Sequence, residues 1–504
     1  MATLLDALDA AVNHHMAGRA DLAQRHYRSI LGAEPAQPDA LHLFGVLQAQ
    51  QGAPASAIPP IRRSLRIRPS AAQPWTHLGA ALRATDRPEE AEATLRRALA
   101  LDPAAADALE AMGAVLHGLA RYPQARGWLI RAAALRPGHP ETLVNLGTVL
   151  RDQRRFADAE ACFDRVLARQ PAHAAPLLAG AHLARAVGRL VQGDLPGGWE
   201  GFEHRWRRFA TPPWTGEPLN GATILLHMEQ GYGDALQFVR YAPLVAQAGG
   251  RVIVETHQLL FRLLASLGPS VQILVRGPEP PPHDVHCPLM SLPRAFATDL
   301  ATIPAGVPYL APERGDVNRW RDRLQASPAG KPDGLRVGLV WAGNPRHRND
   351  RNRSLPTAAL RPLLAVPGVR FFSLQTGDAR GDLARLAAGT PDAVIADPMD
   401  GVRDFADTGA ILANLDLLIT VDTAIVHLAG AMGVPAWLLL PYAPDWRWLL
   451  DRADSPWYPS LRLFRQPRPG DWATTLGTAA AVLKALATKA QAARMTGRQP
   501  DGPP

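Results

Sequence analysis

The stretch PWTHLGAALRATDRPEEAEATLRRALALDP, residues 74–103, is one unit of a pattern that decides the fold of the first part of the chain. Its first segment places Gly79 among apolar residues at helical spacing, and its second segment does the same with Ala91 and Leu95. Pro103 ends the second segment because proline cannot continue a helix. The stretch therefore predicts two packed helices whose small residues allow a close approach.

The same unit recurs with a fixed period of 34 residues. Three residue types keep this phase, namely Gly45, Gly79, Gly113 and Gly147; Ala23, Ala57, Ala91, Ala125 and Ala159; and Pro35, Pro69, Pro103, Pro137 and Pro171. Such a period predicts a superhelical stack of helix pairs with a concave groove that binds peptides or protein partners. The pattern resembles the tetratricopeptide repeat over residues 4–171, and a degraded sixth unit extends the array to residue 208 as a cap. Formation of a homodimer through the array is an alternative to partner binding, or an addition to it.

A change of rhythm follows the Pro- and Gly-rich linker at residues 209–222. Beyond it, short apolar runs alternate with helical segments, which predicts parallel sheets covered by helices on both faces. We expect two Rossmann-like halves, residues 223–330 and 331–488, and a disordered tail at 489–504. Ligands of such sheets bind at the carboxyl ends of the strands, so a cleft between the halves is the expected site.

Composition excludes several other classes of protein. The net charge is +8, but the basic residues are dispersed, so nucleic acid is not an expected partner. Two distant cysteines, Cys162 and Cys287, exclude a disulfide framework and a zinc site of the CxxC type. The first residues lack a basic signal region, and no segment predicts a membrane span. We therefore expect a cytoplasmic location.

The segment HMEQGYGDALQF, residues 227–238, predicts a strand, a glycine turn and a helix. Such a turn usually favours phosphate, yet Asp234 would repel one. A capping role for Asp234 at the helix start is one interpretation. A dinucleotide turn is another, because Glu255 follows at about the usual distance, although Leu236 replaces the last glycine of that motif.

A second turn lies in DLLITVDTAIVHLAGAMGVP, residues 416–435. Its N–H groups around Thr423 and Ala424 are expected to face the cleft, with Asp422 capping the helix and His427 adding a donor on the same face. Upstream, residues 344–356 carry four arginines that are either a solvated loop or charge partners of a phosphate, namely Arg346, Arg348, Arg351 and Arg353. The aromatic segment 441–458 is expected to close the cleft region, with Asp445 and Arg447 as candidate lining residues.

These two turns, in this order, resemble those of the heptosyltransferase-like glycosyltransferases over residues 223–485. The resemblance implies the GT-B fold, two Rossmann-like domains facing a cleft. It implies that Asp234 is the general base and that Asp422, Thr423 and His427 hold the diphosphate of a nucleotide sugar. Ala424 stands where that family has glycine, and Arg353 stands where it usually has lysine. Further candidates are Asn344 and Gln375 on the donor side, and Glu229, Gln230, Gly231 and Gly233 on the acceptor side, with Glu229 as an alternative base.

The resemblance implies an inverting transfer that needs neither metal nor cofactor. An array ahead of such a unit resembles bacterial protein glycosyltransferases, including those that modify flagellin, so the expected acceptor is a Ser or Thr hydroxyl of a protein held in the groove. A lipopolysaccharide or other glycan acceptor, and a binding scaffold with an inactive transferase, are the alternatives. A metal site at His283, Asp284 and His286 is not expected, because the two histidines flank the end of a short strand.

Overall fold

The computed structural model describes residues 4–169, 175–205, 209, 211–327, 334–390 and 393–495. The chain divides into two compact units, residues 1–184 and 185–504. The sequence predicts the end of the repeat array at residue 208, whereas the contacts place residues 185–205 in the second unit. The reason is visible at Trp199, whose indole N–H donates to the Thr298 carbonyl at 2.8 Å.

The first unit is built from helix pairs, as the 34-residue period predicts. Its helices are α1 (Leu4–Met16), α2 (Ala20–Ala33), α3 (Pro38–Gln50), α4 (Pro54–Ile67), α5 (Ala72–Ala84), α6 (Pro88–Leu101), α7 (Ala106–Gly118), α8 (Tyr122–Leu135), α9 (Pro140–Asp152), α10 (Phe156–Arg169) and α11 (Ala175–Val191), the last of which crosses into the second unit. A proline follows two residues after α2, α4, α6 and α8. The prediction that proline ends each second helix is therefore confirmed at these four positions, whereas Pro171 lies outside the described residues.

The periodic glycines permit close contact within each pair of helices. A methyl group added at Gly79 would lie 2.6 Å from Leu95 Cγ, and one added at Gly147 would lie 2.6 Å from Phe163 Cε1. The partner side chain lies 16 positions later in both pairs. The repeat therefore fixes both the length of the helices and the way they pack.

After the end of α11, the second unit continues with α12 (Leu195–Phe202) and contains a four-stranded sheet. This sheet and its helices comprise β1 (Thr223–His227), α13 (Tyr232–Phe238), α14 (Ala242–Gln247), β2 (Arg251–Thr256), α15 (Gln258–Leu264), β3 (Val271–Val275), β4 (Val285–Pro288) and α16 (Leu292–Ala295). The strands are parallel in the order β3-β2-β1-β4. The expected linker packs beside this sheet, because the Trp214 N–H donates to the His286 carbonyl on β4 at 2.7 Å.

A six-stranded parallel sheet, together with the helices between its strands, forms the next segment. It comprises α17 (Arg314–Ala326), β5 (Leu335–Val340), α18 (Asp350–Arg353), α19 (Arg361–Leu364), β6 (Val369–Ser373), α20 (Leu383–Gly389), β7 (Val394–Ala396), α21 (Phe405–Leu412), β8 (Leu417–Val421), α22 (Ala424–Ala431), β9 (Ala436–Leu440), β10 (Leu461–Arg465) and α23 (Trp472–Met495). The strand order is β7-β6-β5-β8-β9-β10. Numbered from β5, this is the 3-2-1-4-5-6 order of the doubly wound fold, whose order reverses between β5 and β8.

Two expected boundaries in this region differ from the structure. Helix α17 precedes the expected boundary at residue 331 but packs on α21 of the second half, where the Trp320 indole N–H donates to Asp407 Oδ1 at 3.3 Å. Helix α23 continues to Met495, so residues 489–495 are helical and are not part of a disordered tail. Residues 496–504 lie outside the described residues.

Candidate active site

The candidate site lies where β8 ends and α22 begins. Strand β8 is fully buried, and α22 starts after a turn at Asp422 and Thr423. This turn stands at the reversal of strand order between β5 and β8, where open parallel sheets leave a crevice for ligands. The topology therefore places the second sequence motif where a bound ligand is expected.

The turn is held by an arginine from the other side of the crevice. Arg353 Nη1 donates to the backbone carbonyl of Asp422 at 2.9 Å, and Arg353 Nε donates to Asp350 Oδ1 at 3.0 Å. Arg353 is therefore a largely buried residue bonded to the turn and not a solvated loop residue. Asp350 was not a sequence candidate, although its position three residues before Arg353 is typical of a helical ion pair.

The expected cap by Asp422 is wrong. The N-cap residue of α22 is Thr423, which makes no side-chain capping bond, and Thr423 Oγ1 is buried with no hydrogen-bond partner among the described residues. The first N–H groups of any α-helix lack intrahelical acceptors. The start of α22 thus offers donors with a hydroxyl beside them.

Asp422 itself is in an unfavourable position for a charge. Burial and the nearby Asp445 carboxylate raise the pKa of Asp422 to about 6, although Arg353 and Arg447 oppose this shift. A carboxyl with this pKa exchanges its proton near neutral pH. The turn therefore carries less negative charge in mildly acidic solution than its sequence indicates.

The Gly-Asp turn of the first half packs directly against α22. A methyl group at Gly233 would lie 2.7 Å from His427 Cδ2 and 3.5 Å from Ala424 Cα. Asp234 follows, and its Oδ2 accepts a hydrogen bond from the Gly231 N–H at 2.8 Å. The two motifs are therefore adjacent. Asp234 belongs to the first half, and the turn before α22 belongs to the second.

Arg447 completes the contact between the halves. Its Nη2 donates to Asp234 Oδ1 at 2.5 Å, its Nε donates to Gln237 Oε1 at 2.6 Å, and its Nη1 donates to Asp445 Oδ1 at 2.9 Å. Burial lowers the pKa of Arg447, but the charges of Asp445 and Asp234 outweigh burial and hold it above its usual range. A buried guanidinium therefore joins a carboxylate of the first half to one of the second.

His427 is a neutral packing residue of this site. Burial, together with the charges of Arg447 and Arg240, holds the pKa of His427 well below its usual range. Its Nδ1 lies 3.0 Å from the Tyr458 hydroxyl, and its ring stacks on Trp448 with centroids 5.4 Å apart. Tyr458 and Trp448 had no separate role in the sequence interpretation, because density in aromatic residues does not distinguish a site from a core.

Several other candidates occupy different surroundings. Gln375 is buried, and among the described residues its side chain bonds to backbone groups of residues 341, 342 and 376. It therefore fixes the segment that follows β5. Asn344 and Gln230 are exposed, and Asn344 Oδ1 accepts from the Arg346 N–H at 3.0 Å.

Glu229 is paired away from the turn. Its Oε2 accepts two bonds from Arg205 at 2.9 and 3.0 Å, and Arg205 also donates to Ser291 Oγ at 2.6 Å. Burial raises the pKa of Glu229, and the charge of Arg205 opposes that shift. This arrangement is an ion pair between Glu229 and Arg205, and both side chains are buried.

Within the described ranges, no group of three or more His, Cys, Asp or Glu side chains could hold a metal ion. None of the helices in those ranges is long and apolar enough to cross a membrane.

Comparison with known proteins supports the repeats. Tetratricopeptide-repeat models match residues 8–72 and 144–196, and a second such model matches residues 72–104. Among solved structures, PilF of Pseudomonas aeruginosa is 20% identical, with a TM-score of 0.34, over 39% of this chain and 88% of its own. MamA of Desulfovibrio magneticus is 20% identical, with a TM-score of 0.30, over 33% of this chain and 93% of its own. Both scores lie below 0.5, so these two likenesses carry no argument.

One curated relative extends beyond the repeats. Protein FlbA of Caulobacter vibrioides is 28% identical over 339 residues, which cover 62% of this chain and 56% of FlbA. The chain thus spans about half the length of that relative. A match over 62% of the chain is longer than the 184 residues of the first unit, so it reaches into the second. The chain carries tetratricopeptide repeats ahead of an α/β unit of two parallel sheets.

Proposed function

We propose that the protein is an inverting glycosyltransferase that moves a sugar from a nucleotide-sugar donor to a Ser or Thr hydroxyl of a protein bound by the repeats. The observation that carries the proposal is the contact of the Gly-Asp turn, which bears Asp234, with the start of α22. One half supplies a carboxylate, and the other supplies helix N–H groups and Arg353 beside them. The resemblance of the two turns to those of GT-B enzymes supports the same interpretation.

The reaction follows from this division between the halves. The acceptor oxygen forms a bond to the anomeric carbon while the bond from that carbon to the diphosphate oxygen breaks. The proton of the hydroxyl goes to Asp234, and the electron pair leaves with the diphosphate. Helix N–H groups and guanidinium groups stabilise the departing charge, so these residues can act without a metal ion.

The test is direct measurement of donor binding and hydrolysis with the full-length protein. A panel of nucleotide sugars is screened for protection against thermal unfolding, and hydrolysis of the protective donor is then followed. Asp234→Asn should lower turnover by about 100-fold or more, as removal of a general base does. Donor binding should persist in this variant, because the change leaves α22 intact.

Asp284→Asn is the matched control. Asp284 lies directly before β4, and its Oδ2 accepts a hydrogen bond from the Thr223 N–H at the start of β1. These are the amino ends of the strands, away from the candidate site, and an asparagine oxygen can accept the same bond. Equal turnover in the two variants, or absence of donor binding by the wild-type protein, would contradict the proposal.

Acceptor class is tested with the same preparation. Ser- and Thr-containing proteins and a lipopolysaccharide core are offered in parallel with the labelled donor. We expect label on protein. Transfer only to the glycan would retain the enzyme class and replace the acceptor.

A binding scaffold with an inactive transferase unit is the second candidate. The specific observation in its favour is that both oxygens of Asp234 already accept hydrogen bonds, from Arg447 and Gly231. In that case Asp234 would only join the two halves. No donor would then bind or react, whereas the repeats would still bind a protein partner.

A further inference from the structure

Arg447 lies at the contact between the two halves, and the proposed mechanism assigns it no role. Its side chain is 8% exposed, and it hydrogen-bonds to carboxylates of both halves, Asp234 and Asp445. It also acts by charge on Asp422, the residue directly before the N-cap of α22. A single guanidinium is therefore shared between the candidate base and the surroundings of the donor turn.

Arg447 lies among charged groups of both signs. Four carboxylates, namely Asp234, Asp350, Asp422 and Asp445, are held by or lie near two guanidiniums, Arg353 and Arg447. A diphosphate at the start of α22 would add negative charge beside Asp422. Guanidinium binds phosphate oxygens in paired hydrogen bonds, so an incoming diphosphate would compete with Asp234 for Arg447.

We propose that Arg447 exchanges partners during the reaction, pairing with Asp234 in the free protein and with the diphosphate in the donor complex. This inference rests on the proposed function. In the free protein Arg447 occupies one oxygen of Asp234. In the donor complex that oxygen is released to accept the hydroxyl proton, and Arg447 meets the negative charge that develops on the leaving diphosphate.

The exchange has a chemical consequence. Asp234 becomes available as a base only when a donor is bound, so an acceptor hydroxyl is not deprotonated without a sugar to receive it. The covalent step is unchanged: the hydroxyl proton passes to Asp234, the new bond forms at the anomeric carbon, and the electron pair leaves with the diphosphate. No further reactant is needed.

A binding experiment tests the exchange without requiring turnover. UDP, GDP and ADP are titrated separately into the full-length protein by calorimetry, and the tightest of the three is used as the probe. Asp234→Asn removes the competitor for Arg447, so this variant should bind the probe at least about fivefold more tightly than the wild type. Asp284→Asn is the control and should bind as the wild type does.

Loss of a nearby negative charge could also tighten binding through space. A double-mutant cycle separates the two causes. In an Arg447→Gln background, Asp234→Asn should no longer tighten binding if the effect passes through Arg447. If the gain persists in that background, the proposed exchange is wrong.

Folding of the variants is checked by thermal unfolding. Because Arg447→Gln leaves two carboxylates without this partner, Arg447→Lys serves as a second background, which retains the charge but cannot form the same set of bonds. With Arg447→Lys the gain from Asp234→Asn should shrink. An undiminished gain in this background would also contradict the exchange.

The outcomes distinguish this inference from the proposed function. If none of the three probes and no nucleotide sugar binds the wild type, the proposed function fails, and the exchange fails with it. If a probe binds but Asp234→Asn does not tighten it, only the exchange is wrong.

Discussion

The contacts that stabilise the repeat unit internally join residues close in sequence, whereas those that stabilise the α/β unit internally join residues far apart in sequence. In the repeats, Gly79 packs on Leu95 only 16 positions later, and the same contact recurs in neighbouring pairs. In the α/β unit, Asp234 bonds to Arg447, which is 213 positions away. Local and repeated contacts make the first unit a sum of similar parts. The candidate site, in contrast, exists only when the whole second unit has folded.

The largest expected effect tests the long-range contact. Gly233→Ala places a methyl group 2.7 Å from His427 Cδ2, so the Gly-Asp turn must move away from α22. If the proposed function holds, transfer should fall by about 100-fold, because small misplacement of a reacting group is costly. Initial rates with saturating donor measure this loss.

Gly477→Ala, on α23, is the control for that change. Its methyl group would meet nothing within 4 Å. Turnover within a few-fold of wild type is expected. A similar loss in both variants would show that the fit of the Gly-Asp turn to α22 does not determine activity.

The next effect tests the local contact. Gly79→Ala places a methyl group 2.6 Å from Leu95 Cγ within one helix pair, which should lower the free energy of unfolding of the repeat unit by about 2–3 kcal/mol. Gly118→Ala meets nothing within 4 Å and should be neutral or slightly stabilising. Urea unfolding followed by circular dichroism compares the two. Equal stabilities would contradict the role of the periodic glycines.

A smaller effect concerns the ionisation of Asp422. Its pKa is about 6 in the folded protein against 3.8 as the ordinary value, so the folded state binds the proton more tightly. Stability is therefore greatest below pH 4 as far as this group is concerned, and it falls as the pH rises from about 4 to about 6. Asp422→Asn carries no charge at any pH. After allowance for partial exposure, it should be more stable than the wild type by about 1–2 kcal/mol above pH 6.

Thermal unfolding at a series of pH values measures that difference. The wild-type and Asp422→Asn curves should converge near pH 4. A constant offset between them at every pH would show that packing, and not ionisation, causes the change.

The smallest effect contrasts a surface pair in the repeats with the buried pair at the site. Arg68 Nη1 lies 2.8 Å from Asp39 Oδ1, and both side chains are about half exposed. Asp39→Asn should cost less than about 1 kcal/mol and should cost less still in high salt, since exposed pairs are screened. A loss of several kcal/mol in urea unfolding would show that surface pairs and glycine contacts contribute equally to the stack.

The sequence predicted those features that depend on local patterns. The repeat period gave the helix pairs and the prolines that end α2, α4, α6 and α8, and strand–helix alternation gave the parallel sheets. The predictions were wrong where a segment packs against a different part of the chain from the one that its position in the sequence suggests. Residues 185–208 look like another repeat, yet Trp199 bonds to Thr298, and α17 packs across an expected boundary. The helical pattern alone does not show which surface covers such a segment.

The same limit applies to the candidate site. Glycine and aspartate in a turn, and aspartate and threonine before a helix, can be read from the chain in order. Their mutual distance cannot, and neither can the pairing of Glu229 with Arg205. Gln375 shows the same problem, because its residue type fits either a ligand contact or the backbone contacts that it makes.

The sequence by itself determined the repeat array, the two parallel sheets and the two turns, because periodicity, proline and glycine act over a few residues. Only the tertiary structure decided that Asp234 meets Arg447 and that the half-buried Asp422 feels the charge of Asp445. The physical reason is that charge interactions and burial depend on distance in space. For groups hundreds of positions apart, that distance is set by the packing of the complete α/β unit.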